Sequence, residues 1–178
     1  IDIKGGYLCE KPGGEILYTG AVNFERFKEI AHRMIDKYFS CPNYYKIDGK
    51  PVLMIFALPM LIDGLGGLEN TKKALEWFKK EAGGVHLQFN MDKVCEEIYD
   101  GDRLVPISEL VEYLGFDSTT NYQTIGMVDD YERDYEDVLK DSFEKWDLFE
   151  KKSAATYFPH VSVGWDNNPR FNDLTKIM

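Results

Sequence analysis

The chain has 178 residues, 44% of them apolar and 14% aromatic, which bounds it to a single globular domain able to bury a sizeable core. Its formal charge of −10 argues against nucleic acid or an anionic membrane surface as the main partner, because both would repel it; a neutral or cationic ligand fits better. No apolar run approaches the ~18 residues that a membrane-spanning helix requires, so no membrane span is expected.

Residues 1–22, with Gly5-Gly6 and Pro12-Gly13-Gly14, read as a long loop. From Asn23 the pattern becomes helical: Phe24, Phe27, Ile30, Ala31, Met34, Ile35 and Tyr38 recur at steps of three and four, Asn23 is placed to cap the start, and Cys41-Pro42 ends the run near residue 39. An Asp48-Gly49 turn then precedes Val52–Ala57, a continuous apolar run of the kind buried on both faces of a parallel sheet. Residues 58–67 read as a loop ending in Gly64-Leu65-Gly66-Gly67. A helix follows over about 69–82, its inner stripe formed by Leu68, Thr71, Ala74, Leu75 and Phe78, and Gly83-Gly84 stops it.

Val85–Met91 alternates strictly: Val85, Leu87, Phe89 and Met91 on one face, His86, Gln88 and Asn90 on the other. A long connection and a short helix from Ser108 to Leu114 lead to a more polar strand, 116–120, that empties into Asn121-Tyr122-Gln123. Asp129 or Asp130 is the expected cap of the longest helix, which runs to about Lys152 with Tyr131, Tyr135, Val138, Leu139, Ser142, Trp146 and Phe149 inward. The last strand is expected over His160–Gly164.

Strands alternating with helices imply a parallel sheet with right-handed crossovers. An open doubly wound sheet and a sector of a (β/α)₈ barrel both satisfy that order. Polarity favours the barrel, because three of the four expected strands carry polar groups on one face, which suits a lumen better than a layer of helices. Eight units need about 250 residues, so the fold class is α/β with parallel βα units forming part of a (β/α)₈ TIM-type barrel.

Ligands of such folds sit at the carboxyl ends of the strands. That rule selects Asn90, Asn121, Tyr122, Gln123, Trp165, Asp166, Asn167 and Arg170 as substrate-binding candidates. An indole beside a carboxylate stacks on a sugar ring and bonds its hydroxyls; the competing reading has Trp165 plugging the barrel mouth and Asp166 paired to Arg170. Asp117 reads as an acceptor of backbone hydrogen bonds rather than a general base, and His86 as a satisfied lumen histidine. Gly64-Leu65-Gly66-Gly67-Leu68-Glu69 fails as a dinucleotide fingerprint, since Glu69 stands where the third glycine belongs. Cys9, Cys41 and Cys95 are far apart and read as free thiols, no metal-binding spacing is present, and no cofactor is expected.

Four stretches in order, Asn43–Val52, Gly66–Leu75, Gly84–Gln88 and Gly164–Arg170, resemble the WbsX-like proteins related to glycoside hydrolase family 99. The resemblance covers most of the chain and implies a (β/α)₈ barrel acting on a glycan or oligosaccharide. The implied activity is endo-acting cleavage, the alternatives being a non-catalytic glycan-binding domain and a glycosyltransferase-like role in polysaccharide biosynthesis. The family's acidic run, Asn-Glu-Trp-x-Glu-Gly-like, would follow the Trp-Asp-Asn-Asn-Pro-Arg loop and does not occur before Met178. The catalytic carboxylates are therefore expected from residues outside this chain, and self-association through open sheet edges is expected of a partial barrel. The chain opens on Ile1, which reads as a processed or truncated product, and a periplasmic or secreted location is the expectation although no leader is visible.

Overall fold

A computed structural model describes residues 22–91, 97–100, 102–122, 128, 130 and 133–162, together with the backbone of three strands between residues 2 and 19. Those three, β1 (Asp2–Lys4), β2 (Tyr7–Cys9) and β3 (Ile16–Thr19), pair antiparallel in chain order. The stretch expected to be a loop is thus a small meander. Its glycine pairs punctuate the strands, and no alternating apolar period marks them.

Helix α1 (Phe24–Met34) starts where predicted, with the Asn23 side chain accepting from the Arg26 N–H at 2.9 Å, and its last turn widens into a π-turn over Ile35–Phe39. Only Phe27 and Ala31 of its expected stripe are buried, joined by Phe39 beyond it; Phe24 and Tyr38 are exposed. Asp48 and Gly49, both at positive φ (50° and 75°), make a two-residue turn that folds β4 (Lys46–Ile47) back on β5 (Lys50–Ile55).

Residues 58–67 are not a loop. Pro59 sits in the first turn of α2 (Leu58–Leu65), where its missing N–H costs nothing, and Gly66 ends the helix in the left-handed region at φ 80°. Gly64 lies inside that helix because a β-carbon there would come within 2.7 Å of the Val22 carbonyl oxygen. The glycine serves a close approach of backbones, not a phosphate turn. Helix α3 (Leu68–Glu81) buries all five residues of its expected stripe, and β6 (His86–Met91) follows.

The long connection contains a hairpin, β7 (Glu97–Asp100) with β8 (Arg103–Pro106), and α4 (Ile107–Leu114) starts directly behind Pro106, with no side-chain cap from Ser108. Strand β9 (Ser118–Asn121) includes Asn121. Helix α5 (Tyr135–Lys152) begins after Asp134, later than Asp129 or Asp130, and Tyr135 is exposed. The last strand, β10 (Thr156–Phe158), comes before His160: Pro159 lacks an N–H, so the ladder stops ahead of it.

The main sheet has the order β10-β9-β6-β5-β4, with β5, β6, β9 and β10 parallel and β4 antiparallel at the edge. The result is a mixed α/β fold with a curled parallel sheet. Each parallel strand is the neighbour of the one before it. Right-handed crossovers then place every connecting helix on one face. The side chains agree: Leu87, Phe89, Thr119 and Tyr157 face the helices, with Leu87 and Phe89 in the core beside Leu75 and Phe78, and Tyr157 stacked on Phe149 of α5 at 5.6 Å. On the opposite face no described helix lies over the sheet. Met54 there is 46% exposed and Phe56 52%, while Leu53 and Ile55 on the helix side are partly buried, so the run 52–57 is covered on one face only and not on both as expected.

Candidate functional site

Alternation puts His86, Gln88 and Asn90 of β6, and Ser118 and Thr120 of β9, on the helix-free face. Their bonds run across the strands. His86 Nε2 lies 2.7 Å from Ser118 Oγ, Gln88 Nε2 donates to the same oxygen at 3.2 Å, and Thr120 Oγ1 donates to the Phe158 carbonyl at 2.7 Å. Asn90 breaks the pattern. It is 1% exposed, and neither its amide oxygen nor its amide nitrogen has a hydrogen-bond partner among the described residues.

At the carboxyl end of the sheet three rings gather. Phe56 meets Tyr122 edge to face, centroids 5.4 Å apart at 84°, and Tyr122 lies 6.4 Å from the His160 ring. Phe56 follows β5 and Tyr122 follows β9, which flank β6 on opposite sides at a separation of roughly 9.6 Å, two strand spacings. Their contact therefore passes over β6, where Asn90 is the next-to-last residue. An unsatisfied amide stands beneath an aromatic rim.

Asn90 and Tyr122 thus both lie at the carboxyl end of the sheet on its helix-free face. Asn121 is not with them: one residue out of phase, it points to the helix side, where its Oδ1 accepts from the Tyr157 hydroxyl and from the His160 N–H at 3.2 Å. It holds β10 to β9. Trp165, Asp166, Asn167, Arg170 and Gln123 lie outside the described residues. Phe56 and His160 were missed as rim residues, although Phe56 directly follows β5 and His160 comes two residues after β10.

Asp117 behaves as expected of a structural carboxylate. Its Oδ2 accepts from the Leu87 N–H at 2.8 Å and from Lys79 Nζ at 3.1 Å, tying β6, α3 and the start of β9 together. Tyr157, half buried, has its phenol pushed well above the usual tyrosine range by desolvation.

No family model, no curated protein and no solved structure matches this chain. The reading of the site rests on its own residues.

A hollow lies on the same face toward the amino ends of the strands. It encloses about 270 Å³ and is lined by Ile47, Asp48, Lys50, His86, Asp117, Thr156 and Phe158. Residues of both sheet edges, β4 and β10, thus border one concavity with β6 on its floor. Among the described residues no group of three or more His, Cys, Asp or Glu is placed to hold a metal ion, and no helix is long and apolar enough to cross a membrane.

Proposed function

We propose that the helix-free face is a glycan-binding wall and that the chain is part of a glycoside hydrolase-like (β/α)₈ barrel of the WbsX type. The observation that carries the proposal is Asn90: a buried amide with both polar atoms unpaired costs free energy unless a ligand supplies a donor and an acceptor. A sugar hydroxyl is both at once. The Phe56, Tyr122 and His160 rim offers ring faces and edges to the C–H face of a pyranose. The charge of −10 disfavours polyanionic alternatives. The strand order, in which each βα unit adds beside the last, supports the reading as a barrel sector, since a doubly wound sheet reverses its order.

In this reading Trp165, Asp166, Asn167 and Arg170 extend the wall. Cleavage would use two carboxylates flanking the glycosidic bond, supplied by residues outside this chain. Calorimetry of the chain with mannose-type oligosaccharides tests the binding step. Binding should weaken by roughly ten- to a hundredfold in Asn90→Ala, the loss of hydrogen bonds in a desolvated site, and clearly in Tyr122→Ala. Absence of heat with every neutral oligosaccharide tried would sink the proposal. Turnover by the chain alone would overturn the assignment of the acids to outside residues.

A further inference from the structure

Helix α5 presents two stripes, and the described residues cover one of them. At 3.6 residues per turn Val138, Ser142 and Phe149 form the stripe that is buried. Tyr135, Leu139, Phe143 and Trp146 form a second, all on the same flank of the first and within roughly 80° of arc. This one is open: Tyr135 is exposed, Phe143 is 50% exposed, and the Phe143 and Trp146 rings lean together at 5.0 Å. Trp146 adds a polar demand. Its indole Nε1 is shut off from water and has no acceptor among the described residues, and a buried donor of that kind calls for a partner.

The Tyr135 hydroxyl, at the start of the open stripe, donates to the carbonyl of Ser162, past the end of β10. The stripe therefore faces the β10 side of α5. There β10 is the edge strand, and no helix of the described residues follows it. The chain itself continues: residues 163–178 set out from Ser162, level with the start of the stripe. Asn168 and Pro169 are a cap and first-turn pair, and Phe171, Leu174, Ile177 and Met178 recur at steps of three and four. A helix over 169–178 spans about 15 Å, and Tyr135 to Trp146 occupies about 16 Å of α5. The segment has the length and the apolar face that the stripe requires.

We propose that residues 169–178 form a helix lying along α5 and parallel to it, with Phe171, Leu174 and Met178 against Phe143 and Trp146, and that this segment supplies the acceptor for the Trp146 indole N–H. The six residues between, 163–168, are then held at both ends. Trp165, Asp166 and Asn167 are thereby kept at the carboxyl end of the sheet instead of trailing from it. This packing needs no ligand, so it stands or falls apart from the glycan wall.

The test is nuclear magnetic resonance of the isotope-labelled chain 1–178 without ligand, at two protein concentrations, with Trp146→Phe assigning the indole signal. Nuclear Overhauser contacts should join Phe171 and Leu174 to Phe143 and Trp146 at both concentrations. In the double variant Phe171→Ser/Leu174→Ser these contacts should vanish, and the Trp146 indole N–H should exchange with water roughly tenfold faster, the effect of losing one hydrogen bond. Phe143→Ser, made at an exposed position of α5, should do the same from the other side and leaves the buried core intact. The proposal is overturned if no such contacts are seen, if they appear only at the higher concentration, which would make the occupant a second copy of the chain, or if both variants leave the indole exchange unchanged.

Discussion

Replacing Asn90 by leucine, close to it in shape, removes two buried polar atoms that have no partners among the described residues. The free chain should become more stable, by about 1–3 kcal/mol in urea unfolding, even as glycan binding is lost. A destabilised variant would mean the amide is satisfied within the fold. Asp117 is the opposite case. Its carboxylate receives a backbone N–H and an ammonium, so Asp117→Ala should cost about 2–3 kcal/mol and leave the affinity of the folded protein for oligosaccharides untouched. Tyr157 adds a pH signature. Its folded phenol ionises later than a free one, so its contribution is complete below about pH 10, where the unfolded phenol ionises, and is lost as pH rises beyond that. The melting temperature of the parent should exceed that of Tyr157→Phe at neutral pH, and the gap should shrink in alkaline buffer.

Among the elements, α2 depends on a residue without a side chain. Gly64→Ala would drive a methyl group into the Val22 backbone, and since backbone yields less than a flexible side chain, a loss of about 1–3 kcal/mol is expected in thermal or denaturant melts. A variant as stable as the parent would show that the two segments are not in contact. What could be read from the sequence follows the strength of local periodicity. Helix α3 and strand β6 were legible because their apolar residues repeat at 3.6 and 2; burial followed the pattern in α3, whereas in β6 the polar His86 and Asn90 are buried as well. The β7–β8 hairpin was not: its strands bury only Ile98 and Val105, too few points to define a period. Strand β10 was displaced because His160 and Ser162 alternate as a strand would, whereas Pro159 decides where pairing ends. That displacement also hid His160 as a rim residue. Asn121, expected in the loop after the strand, is the last residue of β9, and one step of phase in a strand decides which face a side chain takes.

At the scale of the molecule, charge and ligand class can be separated by salt. A neutral oligosaccharide releases no ions on binding to a chain of charge −10, so its dissociation constant should hardly change between low and high ionic strength. An affinity that rises steeply with salt would indicate an anionic ligand whose repulsion is being screened. Added salt should also favour self-association, because it weakens the mutual repulsion of chains that expose Met54, Phe56 and Phe158 on one face. Sedimentation at two salt concentrations measures this directly.

The order β5, β6, β9, β10 has a temporal meaning as well as a spatial one. A chain leaving the ribosome makes each strand of the parallel sheet after the neighbour it will pair with, and only one crossover, roughly 30–40 residues, separates them. No strand has to wait for a partner not yet synthesised. The sheet can therefore grow at a single advancing edge as translation proceeds, whereas a doubly wound order must return to an edge left open at the start.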